Sequence, residues 1–157
     1  MSATATMERV KSLRVIMLNP LEVQHGWDVL FFSLWESGMF PKMENVSLLL
    51  HDAMCEKLQI WILRTENEEG QPVLVGVVCT KIFHSPYTGE TGFTLQHAHV
   101  ADAYVTAEAW ATVYKELFKY AKKRNCTFAE IYSENPRAQQ LLKMLGFTAT
   151  GAFRRKL

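Results

Sequence analysis

Residues 135–147 read Asn-Pro-Arg-Ala-Gln-Gln-Leu-Leu-Lys-Met-Leu-Gly-Phe, and the fold turns on how this stretch is read. Asn135 offers a capping side chain, and Pro136 falls at the first helical position, where its missing N–H costs nothing. Ala138, Leu141, Leu142 and Leu145 recur at helical spacing as one inward face. Gly146 suits the residue that closes such a helix. Just upstream, residues 126–132 predict a strand. Ahead of that strand, Trp110, Val113, Tyr114, Leu117, Phe118 and Ala121 form the apolar stripe of a long helix over residues 112–124. Lys119, Lys122, Lys123 and Arg124 crowd its C-terminal end, where cations suit the helix dipole. Downstream, residues 147–157 predict a closing strand or strand pair.

The first two thirds supply the rest of a sheet. Residues 12–18 (SLRVIML) predict a short strand, and Asn19-Pro20 opens a helix. In that helix Trp27, Leu30, Phe31, Leu34 and Trp35 keep helical spacing up to Gly38. A second helix over residues 44–57 carries Val46, Leu49, Leu50, Ala53 and Met54 on one face. Residues 59–63 are strand-like, residues 66–71 make a polar turn around Gly70, and residues 73–83 form an apolar strand suited to burial on both faces. Residues 85–92, with Pro86, Gly89 and Gly92, predict a loop, and residues 94–101 a further strand. The order β-α-α-β-β-β-α-β-α-β predicts an α+β domain over residues 12–157. Its mixed, mostly antiparallel sheet is flanked by helices and preceded by a flexible segment, residues 1–11.

Composition narrows the function. With 157 residues, 48% of them hydrophobic, the chain suffices for one domain with a real core. Its 17 basic and 16 acidic side chains leave no basic surplus, which makes a nucleic-acid partner unexpected. No apolar run approaches the roughly 20 residues that cross a bilayer, and the first nine residues do not resemble a secretory signal. Cys55, Cys79 and Cys126 are odd in number and widely spaced, which favours buried thiols in a reducing cytoplasm over disulfides or a zinc site.

Asn135-Pro136-Arg137-Ala138, followed by Leu141-Leu142-Lys143-Met144-Leu145-Gly146-Phe147, resembles the N-x-x-A-x-x-L-Y-x-x-x-G-F signature of the GCN5-related N-acetyltransferase (GNAT) superfamily. The resemblance runs from Leu13 to the end, and the element order agrees. It implies acetyl-CoA-dependent transfer to an amine. The CoA diphosphate would rest on backbone amides at the start of the long helix, in a [RQ]-x-x-G-x-[GA] loop. Glycines let such a backbone close on phosphates, and the helix end adds partial positive charge.

That loop falls on Val105, Thr106, Ala107, Glu108, Ala109 and Trp110, and here the chain departs from the pattern. Val105 replaces the leading Arg or Gln, Glu108 and Trp110 replace the small residues, and no glycine occurs from Phe93 to Leu145. Glu108 is expected to repel a diphosphate and Trp110 to plug the space or pack inward. Leu142 stands where many members carry the tyrosine that protonates the leaving thiolate, and a leucine has no proton to give. Tyr132 and Tyr104 lie near in sequence, though packing at a sheet edge is the plainer role for both.

Other candidates carry weaker signals. His97 and His99, two apart in a strand, share one face and could act as a base, or as half a metal site with Asp102. A half-exposed strand face is the plainer reading, and no metal is expected. Arg154-Arg155-Lys156 is a small basic tail that fits ordinary solubility. Adjacent Phe31 and Phe32 cannot both face the core, so one of them would mark a protein contact or self-association surface.

These residues lead to two expectations. The first is a non-catalytic descendant of the acetyltransferase fold that binds no cofactor and serves as a binding or assembly module. It is similar to acetyltransferase-like proteins of tailed phages, some of them virion components, and would be cytoplasmic or within a virion. The alternative is an N-acetyltransferase using acetyl-CoA through an atypical site.

Overall fold

The computed structural model describes residues 12–36, 44–133 and 136–149. Five strands form one sheet in chain order: β1 (Arg14–Met17), β2 (Gln59–Glu66), β3 (Pro72–His84), β4 (Thr91–Val100) and β5 (Phe128–Ile131). Neighbours from β1 to β4 pair antiparallel, and β5 joins β4 in parallel. A parallel pair needs a crossover. Here α4 (Ala107–Lys123) supplies it. The remaining helices are α1 (Pro20–His25), α2 (Trp27–Glu36), α3 (Glu44–Met54) and α5 (Pro136–Met144). The expected mixed, mostly antiparallel α+β arrangement is what forms.

Each face of the sheet has its own core. On one face Val23 of α1, Leu30 of α2 and Ala53 of α3 pack on Ile60, Val77 and Cys79. On the other, Val113, Tyr114 and Leu117 of α4 and Leu142 of α5 pack on Leu63, Val78 and Phe93. The alternation of Val77, Val78 and Cys79 between the two clusters is the period-two pattern of a strand buried on both sides. One polar group is built into the core. Thr80 Oγ1 accepts from Trp61 Nε1 at 2.8 Å and donates to Gln59 Oε1 at 3.2 Å. Burial pushes the Cys79 thiol up to about 12.

Several boundaries differ from the sequence reading, each for a local reason. The helix opened by Asn19 is two helices. Asn19 and Glu22 form a reciprocal capping box, and Gly26 then ends α1 before the chain restarts at Trp27. The third helix stops at Met54, and Glu56, at φ 57, turns the chain into β2. Gly92 belongs to β4 and not to a loop. A Cβ there would sit 2.6 Å from Phe128 Cζ, where the Phe83 and Phe128 rings meet edge to face at 5.5 Å.

The long helix starts at Ala107, five residues before the expected start, because Thr106 caps it. Cys55 is exposed just past α3, contrary to the expectation of a buried thiol. Phe31 is half-buried and Phe32 is 67% exposed, so the pair divides as expected. The closing strand does not appear over Phe147, Thr148 and Ala149. Its remainder lies outside the described residues, as do residues 1–11, Gly38, Asn135 and the basic tail.

Candidate functional site

β4 and β5 stay paired only from Gly92 opposite Phe128 to Leu95 opposite Ile131. β5 ends there, while β4 runs five residues further and keeps its pairing with β3 as far as Val100 opposite Gly76. At the point of parting β4 carries a bulge. Cys79 pairs with His97 and Thr80 with Leu95, so Gln96 has no opposite number on β3. Bulges bend a strand and increase its twist. The result is a mouth, closed at Leu95 and Ile131, along which residues 96–100 present a backbone edge that no described strand takes up. Backbone donors and acceptors in such a place need a partner.

The far end of that edge leads directly to a helix N-terminus. Asp102–Tyr104 form a 3-10 turn, anchored by Ala101 N–H donating to Val75 O at 2.8 Å and by Tyr104, which is buried in the core. Thr106 then caps α4, its hydroxyl accepting from Ala109 N at 3.2 Å. The amides of Ala107 and Glu108 fall in the first turn, where a helix has no internal acceptor to offer them. Val105, Ala107 and Glu108 are exposed. Trp110 turns along the helix, its ring 5.5 Å from that of Tyr114, and packs against the α4 core.

His97 and His99 stand on the stretch of β4 beyond the bulge, opposite Cys79 and Val77. Those partners belong to the face covered by α1 to α3, whereas Ala98 and Val100 pack on the α4 side. Both imidazoles are half-buried. Burial first, and the neighbouring His99 second, hold His97 below the ordinary value of 6.5. Among the described residues no three His, Cys, Asp or Glu side chains gather within reach of one metal ion, so His97, His99 and Asp102 do not make a metal centre.

Tyr132 is the first residue past the end of β5 and is 66% exposed. It borders a cleft of about 640 Å³ between β5 and α5, whose wall includes Ser133, Gln139, Lys143 and Phe147. Gln139 Nε2 donates to Ser133 O at 2.8 Å and ties α5 to this turn. Leu142, at the position of the expected tyrosine, is buried in the core, and so is Tyr104. Trp110 is not among the residues lining the cleft.

The structure therefore sets Tyr132 just past the closed end of the open β4 edge, His97 and His99 along it, and the start of α4 beyond its far end. It leaves Tyr104 in the core. The feature that the sequence reading missed is the bulge at Gln96. Its signal was available, since Gln96-His97 puts two polar residues in succession into an alternating strand.

No family model and no curated protein matches the chain. Solved structures do match. An aminoglycoside acetyltransferase from an uncultured soil metagenomic sample, in complex with sisomicin, superposes with a TM-score of 0.70 at 9% identity, over 94% of this chain and 95% of that one. AAC(6')-Iy, in complex with a bisubstrate analogue of CoA and acetylneamine, gives 0.67 at 17% identity, over 92% and 98%. A predicted acetyltransferase of Clostridium acetobutylicum solved with acetyl-CoA gives 0.66 at 14% identity, over 92% and 96%. The five-stranded sheet with its flanking helices has the fold of the GNAT acetyltransferases.

Proposed function

We propose that this chain is an acyl-CoA-dependent N-acyltransferase. The observation that carries the reading is the parting of β4 from β5 at Leu95 and Ile131, which opens the backbone edge of residues 96–100 below the start of α4.

An extended, amide-bearing arm such as pantetheine can take the place of the missing strand along that edge, as peptides do when they add to a sheet. The first-turn amides of Ala107 and Glu108 are the donors for the diphosphate. The residues present fit acetyl-CoA on two counts. Trp110 packs on Tyr114 and against the α4 core, and the helix start is exposed. Glu108 opposes the fit, but its exposed carboxylate is screened by water. Acetyl-CoA, once bound, would supply an activated acetyl group. His97, whose pKa burial holds below the ordinary imidazole value, is the residue to take a proton from an acceptor amine. The neighbouring His99 adds to that lowering.

The non-catalytic reading keeps one observation in its favour, the Glu108 carboxylate in a glycine-free helix start. Calorimetric titration with acetyl-CoA separates the two. Micromolar binding supports the acyltransferase, and absence of heat at millimolar ligand supports a binding module on the same scaffold. The role in a phage particle gains nothing from the similar structures named above, which are acetyltransferases.

A further inference from the structure

We infer that Trp110 is the platform on which the adenine of an acyl-CoA stacks. The inference rests on the acyltransferase reading and adds a base-binding subsite to it. Three rings climb α4 at four-residue spacing. The centroids of Trp110 and Tyr114 are 5.5 Å apart, and those of Tyr114 and Phe118 are 5.6 Å apart. Both separations match the pitch of an α-helix, about 5.4 Å. Interplanar angles of 34° and 18° keep the ring faces turned toward one another. The rings are therefore rungs of one ladder along the helix. Helical side chains lean toward the N-terminus, so each rung lies over the turn before its own. Trp110 is the last rung toward the start of α4.

The lower rungs are covered and the last one is not. Phe147 packs on Tyr114 and Phe118, at 6.3 and 5.6 Å, and Tyr114 is buried. Among the described residues Tyr114 is the one ring against Trp110, which stays half-buried. An indole has two faces, and Tyr114 takes one. The other is turned toward the first turn, where Ala107 and Glu108 offer their amides. Ala107 and Trp110 are three residues apart, which on a helix sets their Cβ atoms roughly 5–6 Å from each other. In CoA one ribose joins the base to the diphosphate, so a diphosphate on those amides brings the purine within reach of the indole. Pantetheine leaves the diphosphate the other way, along the β4 edge.

Other accessible rings are badly placed for this task. Phe32 belongs to α2, which packs on the opposite face of the sheet. Tyr132 stands past the closed end of the β4 edge, at the acyl end of the ligand and not at its base. Tyr87 lies in the turn between β3 and β4. A purine and an indole that stack remove two flat faces from water at once, and such a contact contributes on the order of tenfold in affinity. The chain sets this platform where the acetyltransferase signature has a small residue, so the subsite is its own. It offsets part of the grip on the diphosphate that is lost with the glycines.

Calorimetry with CoA and with phosphopantetheine, which lacks the adenosine, tests this on the wild type, Trp110→Leu and Trp110→Phe. Stacking predicts CoA binding weakened on the order of tenfold in Trp110→Leu and by less than about threefold in Trp110→Phe, with phosphopantetheine changed by less than about twofold in either. Equal losses for both ligands in Trp110→Leu, or none for either, overturn the assignment. Fluorescence gives a second reading that needs only the variant that keeps a ring. CoA should quench the tryptophan emission of the wild type, and Trp110→Phe should lose that quenching while calorimetry shows it still binding. No quenching in a wild type that binds CoA, or quenching of the same size in both proteins, overturns the inference, whether or not Trp110→Leu folds and however weakly phosphopantetheine binds. A wild type that binds no CoA instead sinks the acyltransferase reading itself.

Discussion

Glu108→Gln should tighten acetyl-CoA binding while making the protein less stable. The residue sits in the first turn of α4, exposed, beside the amides proposed for the diphosphate. A carboxylate about 6 Å from one phosphate charge is repelled by ~0.7 kcal/mol at the dielectric of water and ~2.8 kcal/mol at an effective value of 20. Exposure puts Glu108 near the lower figure, so about 1 kcal/mol, or roughly fivefold in Kd, is the expected gain. Salt must shrink it, because the Debye length falls to about 8 Å at physiological ionic strength. Stability moves the other way. A negative charge at a helix N-terminus contributes ~0.3–1 kcal/mol at a surface site, and glutamine forfeits it. Calorimetry at low and at physiological salt, with urea unfolding of the free protein, reads both quantities. Unchanged or weaker binding at low salt would refute the placement of the diphosphate at this helix start. Tighter binding that ignores salt would refute the electrostatic explanation.

Three further substitutions probe the scaffold and the base. Gly92→Ala forces a Cβ to within 2.6 Å of Phe128 Cζ and against the Phe83 ring. The strand must shift, and a loss of about 1–3 kcal/mol in urea unfolding is expected, as for an overpacked core. Thr80→Val removes the acceptor for Trp61 Nε1 and the donor to Gln59. Stranding those groups in the core should cost about 1–3 kcal/mol, with little change in ligand affinity. His97 is held below 6.5 in the folded protein, chiefly by burial, so the native state binds its proton less readily than the unfolded chain does. Its contribution to stability is complete well above 6.5 and is lost as pH falls through that value toward the lower folded one. In His97→Gln the loss of stability below 6.5 should be shallower, and an unchanged acid limb would show that His97 is not the group concerned. An NMR titration of the His97 ring measures the same shift directly.

Long apolar stripes made most of the fold legible. Val113, Tyr114, Leu117 and Ala121 on α4 and the stretch from Val75 to Thr80 in β3 are buried as their patterns require, while Val73 and Leu74 at the start of the expected β3 run are exposed. Boundaries were less legible, because they are set by single residues acting against the pattern. Gly26 divides a helix whose apolar spacing continues across it, since Trp27, Leu30 and Phe31 still pack with Val23 in one cluster. Gly92 looks like a turn residue until the two phenylalanines that need its missing side chain, one nine residues before it and one far downstream, are brought together. A glycine required by a distant contact cannot be told in sequence from one required by a turn.

The site repeats that difficulty at its most consequential point. Reading the start of α4 from residue types treated Glu108 and Trp110 as occupants of a loop that glycines should line. In the structure these residues are helical, and a helix directs its side chains outward and leaves its first amides at the end. Trp110 can then lie along the helix against Tyr114 and leave the amides of Ala107 and Glu108 where they are. Loss of the glycines removes the freedom of a loop to close on phosphates, but it does not remove the dipole or the donors. What it changes is where affinity must come from. A helix start without a wrapping loop holds a diphosphate weakly, so more of the binding has to be carried by the open edge of β4. Removal of the Thr106 cap by Thr106→Ala should therefore weaken acetyl-CoA only modestly, by about fivefold or less, and calorimetry on the variant measures it.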